Sequence, residues 1–379
     1  MNNSFFYSTK TFTDLEYLKN WSNDTLYINY VQTFEDLTEF SNKIILVDIH
    51  EANYKIDITK KLILQKNYLI FCNLYEPIFY YVLTDLLKDL PKDFPFAVIG
   101  NTDDTCVGPT LNLNIYYFFA CTFPNILRSE NLLEKIHNGK TKKFTFSFLN
   151  GQTRPHRKYL WHRLNSKKLL DNAIWTWLDD SNALPSLNDD TNGTIPRQAL
   201  SKEFELDDIE VDNNVINTYD WKAYKYFRQN SNIHKNVDSI VPDIFDNSYF
   251  SVVSETRVDC KPFITEKLFK PLLAGHPFIV FGALGYYKQL HKLGFKTFDS
   301  IIDESFDSEP DIQKRGDMIV QQIFNVCNSD LVQFQLETKH ICEYNRNHYI
   351  NSQWSEWIKT HHRVLDFFSQ VVDDYKNYL

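Results

Sequence analysis

Short, continuously apolar runs rich in β-branched and aromatic residues recur along the chain. Between them lie stretches in which apolar positions return every three or four residues. The first series of runs is IILVDI (centred on 45–49), YLIFC (68–72), FAVIG (96–100) and IYYFFACTF (115–123). A second series is FTFSFL (144–149), IWTWL (174–178), YFSVV (249–253) and FIVF (278–281). Runs this short and this apolar predict strands covered on both faces, the habit of parallel sheets. The intervening spacing predicts helices over 77–89, 129–137, 156–165, 264–274 and 311–325. Strand and helix in alternation predict an α/β chain. Two series predict two units, 1–140 and 141–351, joined near NGKTKK (138–143). A polar, acidic stretch over about 179–217 reads as an exposed insertion or mobile loop in the second unit. Residues 352–379 read as a long amphipathic helix, with packing back on the first unit as one expectation.

Composition narrows the class of protein. At 379 residues the chain has room for two ordinary cores, and 43% hydrophobic with 23% charged residues is a soluble globular balance. A net charge of -9 argues against a primary grip on nucleic acid or anionic membrane. Much of the aromatic content, 30 Phe, 22 Tyr and 7 Trp, must be core, but Tyr and Trp also suit flat, hydroxylated ligands such as sugars. No apolar run approaches the ~20 residues that span a bilayer, and the first residues lack the pattern of a secretory signal. The six cysteines are scattered without a CxxC pair, which fits reduced thiols better than a disulfide frame or zinc site. A cytoplasmic protein without a membrane span is the expectation.

Several catalytic signatures are missing. NGKT (138–141) lacks the upstream glycine of a P-loop, and no GxGxxG, HExxH or GxSxG occurs. No D-x-D triplet occurs either, so the usual carboxylate grip on a metal–nucleotide diphosphate is missing and no metal is expected. What remains is a two-unit α/β protein whose ligand would be held by basic side chains and helix ends.

Three stretches carry that chemistry. In Thr265-Glu266-Lys267 a helix start offers N–H groups and positive dipole to an anion, Lys267 adds a full charge, and Glu266 suits ribose hydroxyls. A capped surface helix with solvated charges is the plainer reading. In FSFLNGQTRPHRKYLWHRL (146–164), Arg154, His156, Arg157 and Lys158 crowd a turn at a strand's carboxyl end, where open α/β sheets bind ligands. Here the plainer reading, a solvated basic helix end, is strained by repulsion among four basic groups. In YLIFCNLYEPIF (68–79), Glu76 follows a strand and is a candidate general base, although glutamates commonly sit near a helix start for the dipole alone.

Taken in order, NLYEP, FLNGQTRPHRKY and SETRVDCKPFITEKLFKPLLAGHPFIVFG resemble the α1,3-fucosyltransferase family over roughly residues 65–300. The resemblance implies a GT-B fold, two Rossmann-like domains facing a central cleft. It implies inverting, metal-independent transfer of fucose from GDP-fucose to a glycan hydroxyl. It places Glu76 as catalytic base, Arg157 and Arg154 on the donor diphosphate, and Glu266 and Lys267 on ribose and phosphate. Glu255, Thr256, Phe263 and Thr265 fall in the same donor segment, Thr256 standing where the family has Asn and Phe263 where it has Tyr. The expected partners are a nucleotide sugar, as co-substrate rather than cofactor, and a glycan acceptor; no nucleic acid is expected. A DNA-modifying or other UDP-sugar glycosyltransferase of the same fold, and a non-catalytic sugar-nucleotide or glycan-binding module, are the alternatives.

Overall fold

A computed structural model of the protein describes residues 6–9, 28–73, 86–92, 94–100, 109–112, 132–178, 186–187, 193–198 and 242–378. Glu76, the strand expected at 115–123 and most of the helix expected at 77–89 lie outside them. In chain order the strands and α-helices begin with β1 (Phe6–Thr9), β2 (Ile28–Val31), β3 (Ile44–Asp48), α1 (Ile49–Tyr54), α2 (Ile56–Leu64), β4 (Tyr68–Asn73), β5 (Phe96–Gly100) and β6 (Thr110–Asn112). There follow α3 (Leu132–Ile136), β7 (Phe144–Asn150), α4 (Pro155–Ser166), β8 (Ile174–Trp177), α5 (Pro242–Asp246) and β9 (Ser248–Ser254). The last are α6 (Glu266–Ala274), β10 (Phe278–Phe281), α7 (Tyr286–Lys292), α8 (Ile312–Cys327) and α9 (Leu331–Tyr378). The chain divides into two compact units, with the second running from Phe119 to Gln353 apart from residues 220–231. The helix expected over 129–137 therefore belongs, as α3, to the second unit rather than the first.

The first unit is a six-stranded parallel sheet in the order β2-β1-β3-β4-β5-β6. Its central strands are apolar throughout: Ile44 to Val47 and Tyr68 to Cys72 are all buried, as burial on both faces requires. The end of α9, from residue 354, belongs to this unit. Its Val364, Phe367, Phe368, Val371 and Tyr375 recur at helical spacing and are buried. Phe368 meets Phe6 edge-on at 5.4 Å, and Tyr375 meets Tyr68 at 6.4 Å.

The second unit holds a four-stranded sheet, β10-β9-β7-β8, again parallel at every pairing. From β7 the chain moves outward to β8, then returns past β7 to lay β9 on its other side and β10 beyond. The direction of winding therefore reverses between β7 and β9, the place where open α/β sheets leave a crevice outside their carboxyl ends. The pairings differ at that point. β7 stays paired to β8 through Asn150↔Trp177, and β9 to β10 through Ser254↔Phe281. Between β7 and β9 the register ends at Ser147↔Ser251, three residues before either strand does. The ladder between the two central strands stops short of their carboxyl ends.

Packing around this sheet is close. Phe146 and Phe250 meet at 5.4 Å, and Phe269 stacks on Tyr349 of α9 at 4.8 Å. Gly316 lets α8 approach, since a Cβ there would lie 3.0 Å from Tyr159 and 3.2 Å from Phe281. Parts of the stretch expected to be an exposed insertion are instead docked. Gln198 forms a two-way backbone bridge with Trp177, Ile195 is buried, and the Gly193 carbonyl bonds the His162 ring at 2.9 Å. Local polarity hid an apolar anchor that the sheet edge could bind.

Candidate anion-binding site

The start of α6 is built by its own sequence. Thr265 is extended (φ -116°, ψ -179°), so its Oγ1 turns back to accept the Lys267 backbone N–H at 3.3 Å and cap the helix. At the other end Gly275 takes the left-handed conformation, φ +71°. The Gly275 N–H bonds the Leu272 carbonyl and the His276 N–H bonds that of Pro271, closing the helix in a Schellman turn. A nine-residue helix fixed at both ends directs the positive end of its dipole at residues 265–267.

Glu255 ties this helix start to the sheet. It follows β9 directly, and its side chain is fully buried. Oε1 accepts the Thr265 backbone N–H at 3.1 Å and the Tyr286 hydroxyl at 2.6 Å, while Oε2 accepts the Thr265 hydroxyl at 2.5 Å. Burial pushes this carboxyl above its usual range, against the pull of Lys267, Thr265 and Tyr286. Its carboxylate oxygens face protein donors. Its carbonyl accepts Nε2 of His156 at 2.8 Å and an Arg157 Nη at 3.2 Å, which brings the start of α4 to the same point.

Lys267 extends its ammonium to Glu266 at 2.7 Å and to the Thr256 hydroxyl at 3.2 Å. Burial raises the Glu266 carboxyl, but Lys267 and Lys270 outweigh it and hold the group below its usual range. The adjacent pair thus arrives at the site partly neutralised.

Arg157 is different. It is 4% exposed and makes no ion pair with any described residue. Among the described residues its guanidinium bonds only the carbonyls of Gln152 and Glu255. Burial and neighbouring Arg154 push it down to about 10, against the attraction of Glu255 and Glu266, so it stays charged at neutral pH. A buried cation without a counter-ion is costly. The crowd of four basic groups expected here is smaller, because burial and Arg157 push His156 to about 3 and leave it neutral. Around Arg157 lie further unanswered groups. Arg154 Nε, Arg157 Nε, Asn150 Nδ2 and Oδ1, and Ser254 Oγ are all buried without a hydrogen-bond partner among the described residues. One such atom costs about 1–3 kcal/mol. Five of them fall on the residues that end β7 and β9 and open α4, an arrangement that can take up a polar ligand or ordered water.

The structure thus brings Arg154, Arg157, Glu255, Thr256, Thr265, Glu266 and Lys267 together around the carboxyl end of β9. Phe263 is buried within the core. Sequence reasoning missed Tyr286, Ser254 and the side chain of Asn150, and also Arg315, which pins the Val258 and Glu309 carbonyls at 2.8 and 2.6 Å. The one legible signal was a polar residue ending an apolar strand, FTFSFLN, which reads as the beginning of a turn. No group of three or more His, Cys, Asp or Glu side chains that would hold a metal occurs among the described residues. No described helix is long and apolar enough to cross a membrane. No protein-family profile, no curated protein and no solved structure matches the chain.

Proposed function

We propose that this protein is a cytoplasmic glycosyltransferase of GT-B architecture, whose second unit binds the diphosphate of a nucleotide sugar. GDP-fucose is the first donor to test and a glycan hydroxyl the acceptor. The observation that carries the reading is Arg157, a buried guanidinium with no ion-pair partner among the described residues, at the winding reversal of a parallel sheet, beside a capped helix start and Lys267. Arginine matches phosphate oxygens, and a helix start supplies N–H groups to the same anion. Doubly wound sheets in both units are compatible with the two Rossmann-like domains of the family that the three motifs resemble. In this mechanism Glu76 takes the proton of the acceptor hydroxyl as its oxygen attacks the anomeric carbon. The bond from that carbon to the diphosphate oxygen breaks with inversion, and its electron pair leaves with the diphosphate. Arg157, Lys267 and the N–H groups opening α6 stabilise that charge without a metal ion.

Calorimetry and thermal melts with guanosine and uridine diphosphates and their sugars test the binding step. A ligand at 100 times its dissociation constant raises stability by about 2.7 kcal/mol. Binding by guanosine diphosphate, and transfer that persists in excess EDTA, are the expected results. No binding by any nucleotide sugar overturns the reading; loss of transfer on chelation, restored by Mn²⁺ or Mg²⁺, overturns the mechanism. Binding without turnover on any acceptor would make it a sugar-nucleotide-binding module.

A further inference from the structure

The carboxyl ends of β7 and β9, beyond the last paired residues, hold two groups that differ in kind from the cations beside them. Asn150 is the last residue of β7, 2% exposed, and Ser254 the last of β9, 3% exposed. The register offset that pairs Ser147 with Ser251 places Asn150 level with Ser254, past the point where the ladder stops. The main chain of Asn150 is fixed: its N–H donates to the Thr176 hydroxyl at 2.9 Å, and that hydroxyl donates to its carbonyl at 3.2 Å. Among the described residues its side-chain amide has neither donor nor acceptor satisfied, and the Ser254 hydroxyl is unpartnered too.

We infer that Asn150 and Ser254 form a hydroxyl-reading subsite, which hydrogen-bonds the sugar of the ligand whose diphosphate meets Arg157. This rests on the nucleotide-sugar reading above. Donor and acceptor balance separates a sugar from a phosphate here. A phosphate only accepts at neutral pH; it satisfies Arg154 Nε and Arg157 Nε but would repel Asn150 Oδ1. A sugar hydroxyl donates and accepts at once, so a pair of hydroxyls answers both amide atoms and the serine. Sites that bury such groups discriminate strongly against ligands lacking the matching hydroxyl, because the protein atoms are then left unpaired. Asn150 is thus a specificity-determining residue for the sugar, distinct from the cations that take the diphosphate.

The test compares guanosine diphosphate with GDP-fucose by calorimetry, with the uridine pair alongside, on the unaltered chain, Asn150→Ala and Ser254→Ala. Each substitution is expected to weaken the nucleotide sugar by about tenfold, the scale of one lost hydrogen bond, and the bare nucleoside diphosphate by less than about twofold. Ser254→Ala reads the same difference should Asn150→Ala not fold. A second measurement uses the unliganded protein: Asn150→Leu keeps the branched outline, at somewhat greater bulk, and removes the unanswered amide, so its melting temperature should hold or rise. A fall of several degrees means that the amide is already partnered inside the protein, and overturns the inference. Equal weakening of both ligands, or of neither, also overturns it while leaving the nucleotide-sugar reading intact. If the unaltered chain binds neither ligand of either pair, both readings fall.

Discussion

Arg157 and Lys267 carry the same formal charge into the site in different circumstances. Lys267 already has a carboxylate partner at 2.7 Å in Glu266, whereas Arg157 has only carbonyls among the described residues. An arriving diphosphate therefore gains more from Arg157. Arg157→Ala should weaken nucleoside diphosphate binding by about 1.5–3 kcal/mol, the range for hydrogen bonds to charged groups, and Lys267→Ala should cost less. Calorimetry with the nucleoside diphosphate alone gives the comparison, and equal affinities for both variants and the unaltered chain would return α6 to an ordinary capped helix. At Glu76 the proposed chemistry is separable from binding. Glu76→Gln keeps the shape and removes the basicity, so turnover should fall by roughly 10²–10⁴ with donor affinity nearly intact. Activity within a few-fold of the original would move the base elsewhere, with Asp48, Glu51, Asp103 and Asp104 next to test.

The elements that position these residues were legible to different degrees. The strands at 96–100 and 278–281 and the helix closing at Gly275 follow from local pattern, because apolar runs and cap residues act over a few positions. The short strands β1 and β2 were not legible: four residues in a polar context become strands only by pairing in the sheet, Phe6 with Ile28 and Ile44. The buried start of α4 was misleading in another way. PHRK reads as a solvated basic turn, yet His156, Arg157 and Lys158 are all buried. The C-cap of α6 offers a clean test at this scale. Gly275→Ala forces a side chain into the left-handed region and sets its Cβ against the Leu133 side chain. It should cost at least about 1 kcal/mol, measured by guanidinium unfolding; an unchanged midpoint would mean that α6 ends by some other means.

For the molecule as a whole, buried histidines set a dependence on acid. His156 and His276 are both pushed by burial to about 3, against an ordinary value of 6.5. Between those values the unfolded chain binds protons that the folded state refuses. Their contribution is intact above pH 6.5 and is lost as pH falls toward 3. Burial acts oppositely on Glu304, pushing it up to about 7, so its contribution is present at low pH and is lost as pH rises through 7. The net slope mixes the two, and a variant separates them. His156→Gln keeps a donor toward the Glu255 carbonyl and cannot titrate. It should flatten the fall in stability between about pH 6 and 4 by up to about 1.4 kcal/mol per pH unit. Denaturant melts across that range measure it, and parallel slopes for the two proteins would show that His156 is not held neutral.

By itself the sequence determined an α/β chain, most strands of its parallel sheets and the capped helix at Thr265, because these depend on apolar period and on cap chemistry within a turn or two. Only the tertiary structure decided what each charged or polar residue became. Glu255, twelve residues or fewer from Thr265, Glu266 and Lys267, lies in the same motif, yet it is a buried tie holding Thr265 and Tyr286. Asn150, half of an ordinary turn signal, ends a strand with its amide unanswered. Burial and partnership are set by the meeting of β7 and β9, strands 98 residues apart from the end of one to the start of the next, and no local pattern encodes the free energy of a group whose surroundings arrive from so far along the chain.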